Sequence, residues 1–439
     1  MSGERRRVVI TGLGAICPIG SSPDEIWNAV ATRQSGISAP TSLPTEALPI
    51  GAAGEARQFT GHIKDFGDMD KEAQKNLRKS LKVMCRECQM GVAAAQLALN
   101  DASHISGGFD PSRVGTSFGS DYMVSDPQEF TEGIRACLNG EREFEFSRWP
   151  TEGMPRLFPL WLLKYLPNMP ASHVTIYNDL RGPSNSITMR EASPAICICD
   201  AMHVILSDRA DAAVVGVTGT RLSLMKAMHA VQQEEVGLLN GEPSRACRPF
   251  DLHRNGMVPG EGAAAIFVEE LNNARRRGVH IYAEVLAAAS AAVIDRNRVA
   301  RRREAMRLAM TAALQEAQLE PTDIGFVMAH GLGTQTCDVE EAAALSDVFG
   351  PAGVPVIAAK SYFGNLGAAS GLVEIILGIL ALRHRQLFAT LNYETPDPAC
   401  PVDVVTEPRS PRVPRFMNVN VTPQGQASAA IIGEVAGLS

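Results

Sequence analysis

Residues 181–205 read RGPSNSITMREASPAICICDAMHVI. The layout is that of a short strand running into a buried helix that begins near Ser193. Many acyl-transfer enzymes hold a nucleophile at such a junction, where a helix N-terminus favours an anionic side chain. This junction offers Arg190 and Glu191. The helix end would favour an ionised Glu191 and burial the neutral acid, and the sequence leaves that balance open. Cys197 and Cys199 lie six and eight residues beyond Glu191, inside the helix and more than a turn from the junction, and read as small core residues.

The alternation of strand and helix extends on both sides of this stretch. Before it come the strand VVIT at 8–11, closed by a glycine turn, helices near Pro23–Arg33 and Cys85–Leu99, and the strand RVGTSFGS; after it comes AAVVGV at 212–217. A second series follows a loop at 240–260: AAAIFVEE, HIYAEVLAAA, the helix RREAMRLAMTAALQEA, the strand IGFVMAHG, VIAAK and a helix after Gly367. This predicts an α/β protein whose largely parallel sheet is covered by helices, in two halves, 1–255 and 256–439, sharing one packed unit. Residues 120–175 interrupt the pattern as a cap-like insertion with the clusters EREFEFSRWP and FPLWLLKYLPNMP. Within it, Leu160–Leu163 with Tyr165 and Leu166 is expected to pack on the chain's own core in preference to capping a cavity or forming a subunit interface, with the head of Lys164 in water.

The chain has 439 residues, 45% apolar and 20% charged, enough for a large core. A net charge of −7 argues against nucleic acid or an anionic membrane surface as partner, so the arginine runs Arg5–Arg7, Arg275–Arg277 and Arg301–Arg303 read as solvated surface. Nine cysteines without a secretory leader suit reduced thiols in a cytoplasm. The pairs Cys85/Cys88 and Cys197/Cys199 lack further ligands at zinc spacing, so no metal is expected. No cofactor is indicated either, because the GLG at 12–14 is too short for a dinucleotide fingerprint. The longest apolar run, Gly371 to Leu382, carries Glu374 and is too short to span a bilayer.

Taken together, RRVVITGLGAICPIG, PNMPASHVTIYNDLRGPS, RPFDLHRNGMVPGEGAA, MAHGLGTQTCDVEEAAA, KSYFGNLGAASG and TLNYETPDP resemble the β-ketoacyl-acyl carrier protein synthases, most closely the elongating type, in order and over nearly the whole chain. The resemblance implies the thiolase-like fold, two αβαβα halves in five layers, usually dimeric. It also implies a substrate carried as a thioester on the phosphopantetheine arm of acyl carrier protein. The family's working set is a cysteine that takes the acyl chain, two histidines that assist malonyl decarboxylation and stabilise the enolate, and a lysine.

This sequence keeps part of that set. Nine residues after Gly182, where the resemblance puts the cysteine, stands Glu191. His330 matches the first histidine, Lys360 the lysine, and Glu341 a glutamate near the centre; Asp338 and Glu341 also suit a capping box at the start of their helix. The second histidine falls on Asn365. Initiating synthases of this fold also use histidine with asparagine, whose amide donates a hydrogen bond but cannot move a proton. Near the C-terminus, Thr422 stands at the family's gate position, and Pro423 and Gln424 replace glycines, which stiffens the loop and removes an N–H donor.

Relatives without the cysteine commonly carry glutamine, in decarboxylating loading domains or in chain-length-factor subunits; a protonated Glu191 would resemble glutamine in shape. The leading expectation is therefore a ketosynthase-like protein that does not condense through cysteine, a homodimer or a heterodimer with an active ketosynthase, binding acyl carrier protein. The alternative is a malonyl-carrier decarboxylase or acyl-thioester hydrolase using His330, Asn365, Lys360 and Glu191.

Overall fold

The computed structural model describes residues 6–44, 46, 48–103, 108–239 and 241–435. The first half supplies β1 (Val8–Ile16), α1 (Arg86–Asp101), β2 (Val114–Ser120), α2 (Met169–Asn178), β3 (Ser184–Thr188), α3 (Ser193–Leu206), β4 (Ala212–Thr220) and β5 (Glu261–Glu270). The second supplies β6 (Ala283–Ala292), α4 (Arg302–Ala317), β7 (Phe326–Met328), α5 (Gln335–Phe349), β8 (Pro355–Ile357), α6 (Ala369–Arg383), β9 (Arg415–Val421) and β10 (Gln426–Gly433).

The strands lie in the order β3-β2-β4-β5-β1 and then β6-β10-β9-β7-β8, with Asp403–Val404 added beyond β8. Each half thus arranges its strands third, second, fourth, fifth, first. The directions repeat as well: β2 runs parallel to β3 and β4, and β7 to β8 and β9, while β5 and β10 are antiparallel to both neighbours. The two arrays join where Val8–Ile10 pair with Ala283–Val285.

One core, formed by α3 and α6 with strand residues from both halves, lies between the two arrays. Residues of α1 and α2 cover the outer face of the first, and α4 and α5 that of the second. This is the five-layered thiolase-like arrangement. The helix α6 is buried along Ala369–Leu382, which explains why its sequence is apolar on every face. Among the described residues no helix is long and apolar enough to cross a membrane.

Five expectations are revised. The sheet is mixed and not largely parallel, because β1, β5, β6 and β10 pair only antiparallel. Strand β1 does not stop at Thr11 for a glycine turn; it continues to Ile16, because Gly12 and Gly14 let α1 lie directly on it. A Cβ at either position would come within 2.2 Å of a carbonyl oxygen, of Ala98 or Ala94 respectively. The boundary at 255/256 moves beyond β5, since that strand pairs with β1 and β4 of the first half.

The insertion is not buried in the core: Phe146, Leu160 and Leu162 are 74%, 48% and 51% exposed, although Trp161 packs edge-on against Phe130 and Lys164 and Tyr165 both bond Glu129. The arginine runs are largely paired within the chain. Arg6 meets Asp208 and Asp211, Arg7 meets Glu284, Arg277 meets Glu269, and Arg301, Arg302 and Arg303 meet Asp295, Glu340 and Asp347. Arg5 lies outside the described residues.

Candidate active site

Between β3 and α3 the chain makes a tight turn, with Arg190 at φ 51° and Glu191 buried at the head of the helix. The Glu191 carboxylate accepts hydrogen bonds at Oε1 from Arg221 Nη2 and, at 3.2 Å, from Asn365 Nδ2. Arg190 approaches with Nη2 3.5 Å from Oε1 and Nε 3.3 Å from Oε2. Arg221 is fully buried at the end of β4, and Asp121 and Glu234 stand 3.7 and 4.0 Å from its Nη1. Glu234 also takes a 2.7 Å bond from Arg190.

Burial favours the neutral acid at Glu191, but the guanidinium charges of Arg190 and Arg221 outweigh it and hold the carboxyl well below the usual range. The likeness of a protonated Glu191 to glutamine is therefore replaced by an ionised, ion-paired carboxylate. Arg221, Asp121 and Glu234 were not singled out from the sequence. The available signal was an arginine directly after an apolar strand, where an unpaired cation would be costly.

His330 lies two residues after β7, at the start of the loop that leads to α5. Its Nδ1 lies 2.9 Å from Asn420 Oδ1; with the proton on Nδ1 the ring donates there and Nε2 is the acceptor nitrogen. Burial, with the nearby Lys360 charge, lowers its pKa to about 3, so the imidazole is neutral at ordinary pH. Lys360 Nζ donates to the His330 carbonyl at 2.6 Å and pairs with Glu374 at 2.5 Å. The other Glu374 oxygen accepts from the side-chain amides of Asn418 and Asn420 at 2.8 and 2.9 Å. Sequence reasoning used Glu374 only against a membrane span and passed over Asn418 and Asn420, although a glutamate inside the most apolar helix was a visible anomaly.

Glu341 and Asp338 do not form a capping box. Thr334 caps α5 by accepting from Cys337 N. Glu341 instead accepts from the N–H groups of His330 and Gly331 at 2.7 and 2.8 Å, and Asp338 from Phe250, Leu332, Gly333 and Thr334, so the pair fixes the loop that carries His330. Burial pushes Glu341 up to about 8 and Asp338 up to about 6. Asn365 donates to Glu191 and to Met257 Sδ, and its Oδ1 accepts from Gly367 N at 3.0 Å.

Residues 422–426 form a closed hairpin turn in which Thr422 N, Gly425 N and Gln426 N all donate within the turn. Cys197 is buried inside α3, its thiol pushed up to about 12 by burial. Among the described residues no group of three or more His, Cys, Asp or Glu is arranged to hold a metal ion.

Glu191 and Asn365 thus meet from the two halves in one buried centre, and the buried, neutral His330 lies within electrostatic reach of Glu191. The family models for the β-ketoacyl synthase N-terminal and C-terminal domains match residues 5–274 and 282–394. The chain belongs to the β-ketoacyl synthase family. The gap between the two matched regions falls between β5 and β6, where the strand arrays also change over.

Among family members, 3-oxoacyl-[acyl-carrier-protein] synthase 2 of Synechocystis sp. is 30% identical over 92% of this chain and 91% of its own length. The synthase 2 of Staphylococcus aureus is 30% identical over 92% of each. A β-ketoacyl synthase structure from Burkholderia phymatum superposes with TM-score 0.82 at 27% identity, covering 98% of this chain and all of that one. The ishigamide ketosynthase/chain length factor gives 0.80 at 25% identity, covering 99% of this chain and 100% of that one. A polyketide ketosynthase solved in complex with its acyl-carrier protein, at 24% identity and TM-score 0.80, shares the fold. Ketosynthase-family membership puts this chain in fatty-acid or polyketide synthesis.

Proposed function

We propose that this ketosynthase-family protein does not condense acyl chains through a cysteine and works as the partner subunit of an active synthase, in the manner of a chain length factor. The supporting observation is the ion-paired Glu191 at the head of α3. A carboxylate held by two guanidinium groups is a poor nucleophile, and its attack on a thioester would give a mixed anhydride, which stores an acyl chain badly. The Asn365 amide that would steady an enolate is engaged by Glu191 and Met257.

Two features support a partner. Strand β3 is an edge strand that pairs with β2 on one side only, and Phe146, Leu160 and Leu162 are exposed in the insertion. The structural likeness to a ketosynthase/chain length factor supports a synthase as that partner, and the likeness to a ketosynthase bound to its carrier supports acyl carrier protein as the second. The cysteine pattern fits work in the cytoplasm.

The test is to incubate the pure protein with malonyl- and acyl-loaded carrier protein and follow both by intact mass. We expect unchanged carrier and unmodified protein, with a synthase recovered on co-expression. Loss of carbon dioxide from the malonyl carrier, absent in His330→Ala, would replace this reading with that of a decarboxylase.

A further inference from the structure

Three donor groups from separate places in the chain surround one carboxylate. Arg221 comes from the end of β4, Asn365 from the loop before α6, and Arg190 from the turn itself, and all three reach Glu191 Oε1. A closed structural ion pair would use up its hydrogen-bonding capacity. Here Arg190 Nε and Arg221 Nε and Nη1 are buried without a hydrogen-bond partner, as are Glu191 Oε2 and both oxygens of Asp121. Asp121 and Glu234 balance charge from 3.7 and 4.0 Å but do not replace Glu191 as the hydrogen-bonded partner of Arg221. The planar donor forks of two guanidinium groups match the two oxygens of a carboxylate.

We infer that Arg190, Arg221 and Asn365 form a carboxylate-binding pocket whose guest is the chain's own Glu191 side chain. Its ligand class is a short free carboxylate such as formate or acetate. With Glu191 in place, such a group meets a filled pocket. Once the side chain is cut back, the pocket is open to a free carboxylate from solution. The inference does not depend on the partner-subunit reading, since an enzyme of either kind could carry this pocket.

The test uses full-length Glu191→Ala and follows thermal unfolding in rising sodium formate or acetate, with ionic strength held constant by sodium chloride and with acetamide as the neutral isostere. The variant is expected to unfold below wild type. Its midpoint should climb steadily with each tenfold rise in formate or acetate above the dissociation constant, as for any ligand bound by the native state alone. Acetamide should leave it unmoved.

Wild type, and Glu191→Gln with its filled pocket, should not respond, and the double variant Glu191→Ala/Arg221→Met should lose the response. An equal effect of chloride and formate on Glu191→Ala would overturn the inference. So would an equal carboxylate response in wild type, or a Glu191→Ala protein that stays unfolded even in high formate while Glu191→Gln folds.

Discussion

Arg221 and Glu191 meet as a fully buried ion pair, Nη2 of one donating to Oε1 of the other, at the head of α3. Breaking a buried pair from one side leaves an uncompensated charge and costs about 3–5 kcal/mol, whereas replacing both partners is far milder. We therefore expect Arg221→Met to destabilise by about that amount, and Glu191→Gln/Arg221→Met to recover more than half of it. A double-mutant cycle by chemical denaturation measures the coupling.

Placing a thiol at position 191 should not produce condensation. In Glu191→Cys the Arg190 and Arg221 cations remain, and the hairpin at 422–426 still has its N–H groups engaged internally. We expect no 3-oxoacyl product by mass spectrometry. Turnover comparable to that of an active synthase would sink the partner-subunit reading.

The neutral His330 gives a pH signature. Its folded pKa, about 3, lies below the ordinary 6.5. Below pH 6.5 the unfolded chain gains a proton that the native chain refuses, so its contribution to stability is full above 6.5 and falls as pH drops towards 3. Glu341, raised to about 8, acts with the opposite sign between 4.5 and 8, but it is present in both proteins when wild type is compared with His330→Gln. The wild-type advantage should shrink by about 2 kcal/mol between pH 6.5 and about 4.5, read from denaturation midpoints.

The Lys360–Glu374 pair fixes His330 from behind, through the His330 carbonyl and through Asn420. Lys360→Met leaves Glu374 buried with amide donors but no cation. We expect a loss of about 3–5 kcal/mol in denaturant unfolding. A loss below about 1 kcal/mol, the scale of exposed pairs, would show that the centre is hydrated.

The exposed residues of the insertion should matter for association and not for folding. Leu160→Lys/Leu162→Lys places charges on half-exposed positions, so the unfolding midpoint should hold while the mass of the complex with a co-expressed synthase drops to that of the separate chains. Light scattering decides between the two.

Much of this was legible in the sequence. Period and composition gave most of the strands and helices, though not α2, β9 or β10, and motif order brought Glu191, His330, Lys360 and Asn365 to one centre. The extent of β1 was missed because its glycines look like a turn locally, and only the contact with α1 explains them. The ionisation of Glu191 was open because it depends on Arg221, thirty residues away, whose approach no local pattern encodes. The role of Glu341 was misread for a related reason: a helix-start spacing looks the same whether the carboxylate caps its own helix or reaches the loop before it.

The repeated strand order has a consequence for how the protein can change. Glu191 precedes α3 and Asn365 precedes α6, the helices that follow the third strand in each array, so the 3.2 Å bond between them links nearly equivalent places in two copies of one plan. Neither copy owns the centre. A substitution at one position is felt immediately by its counterpart, and two fragments divided between β5 and β6 would each carry half of a sentence that makes sense only when spoken together.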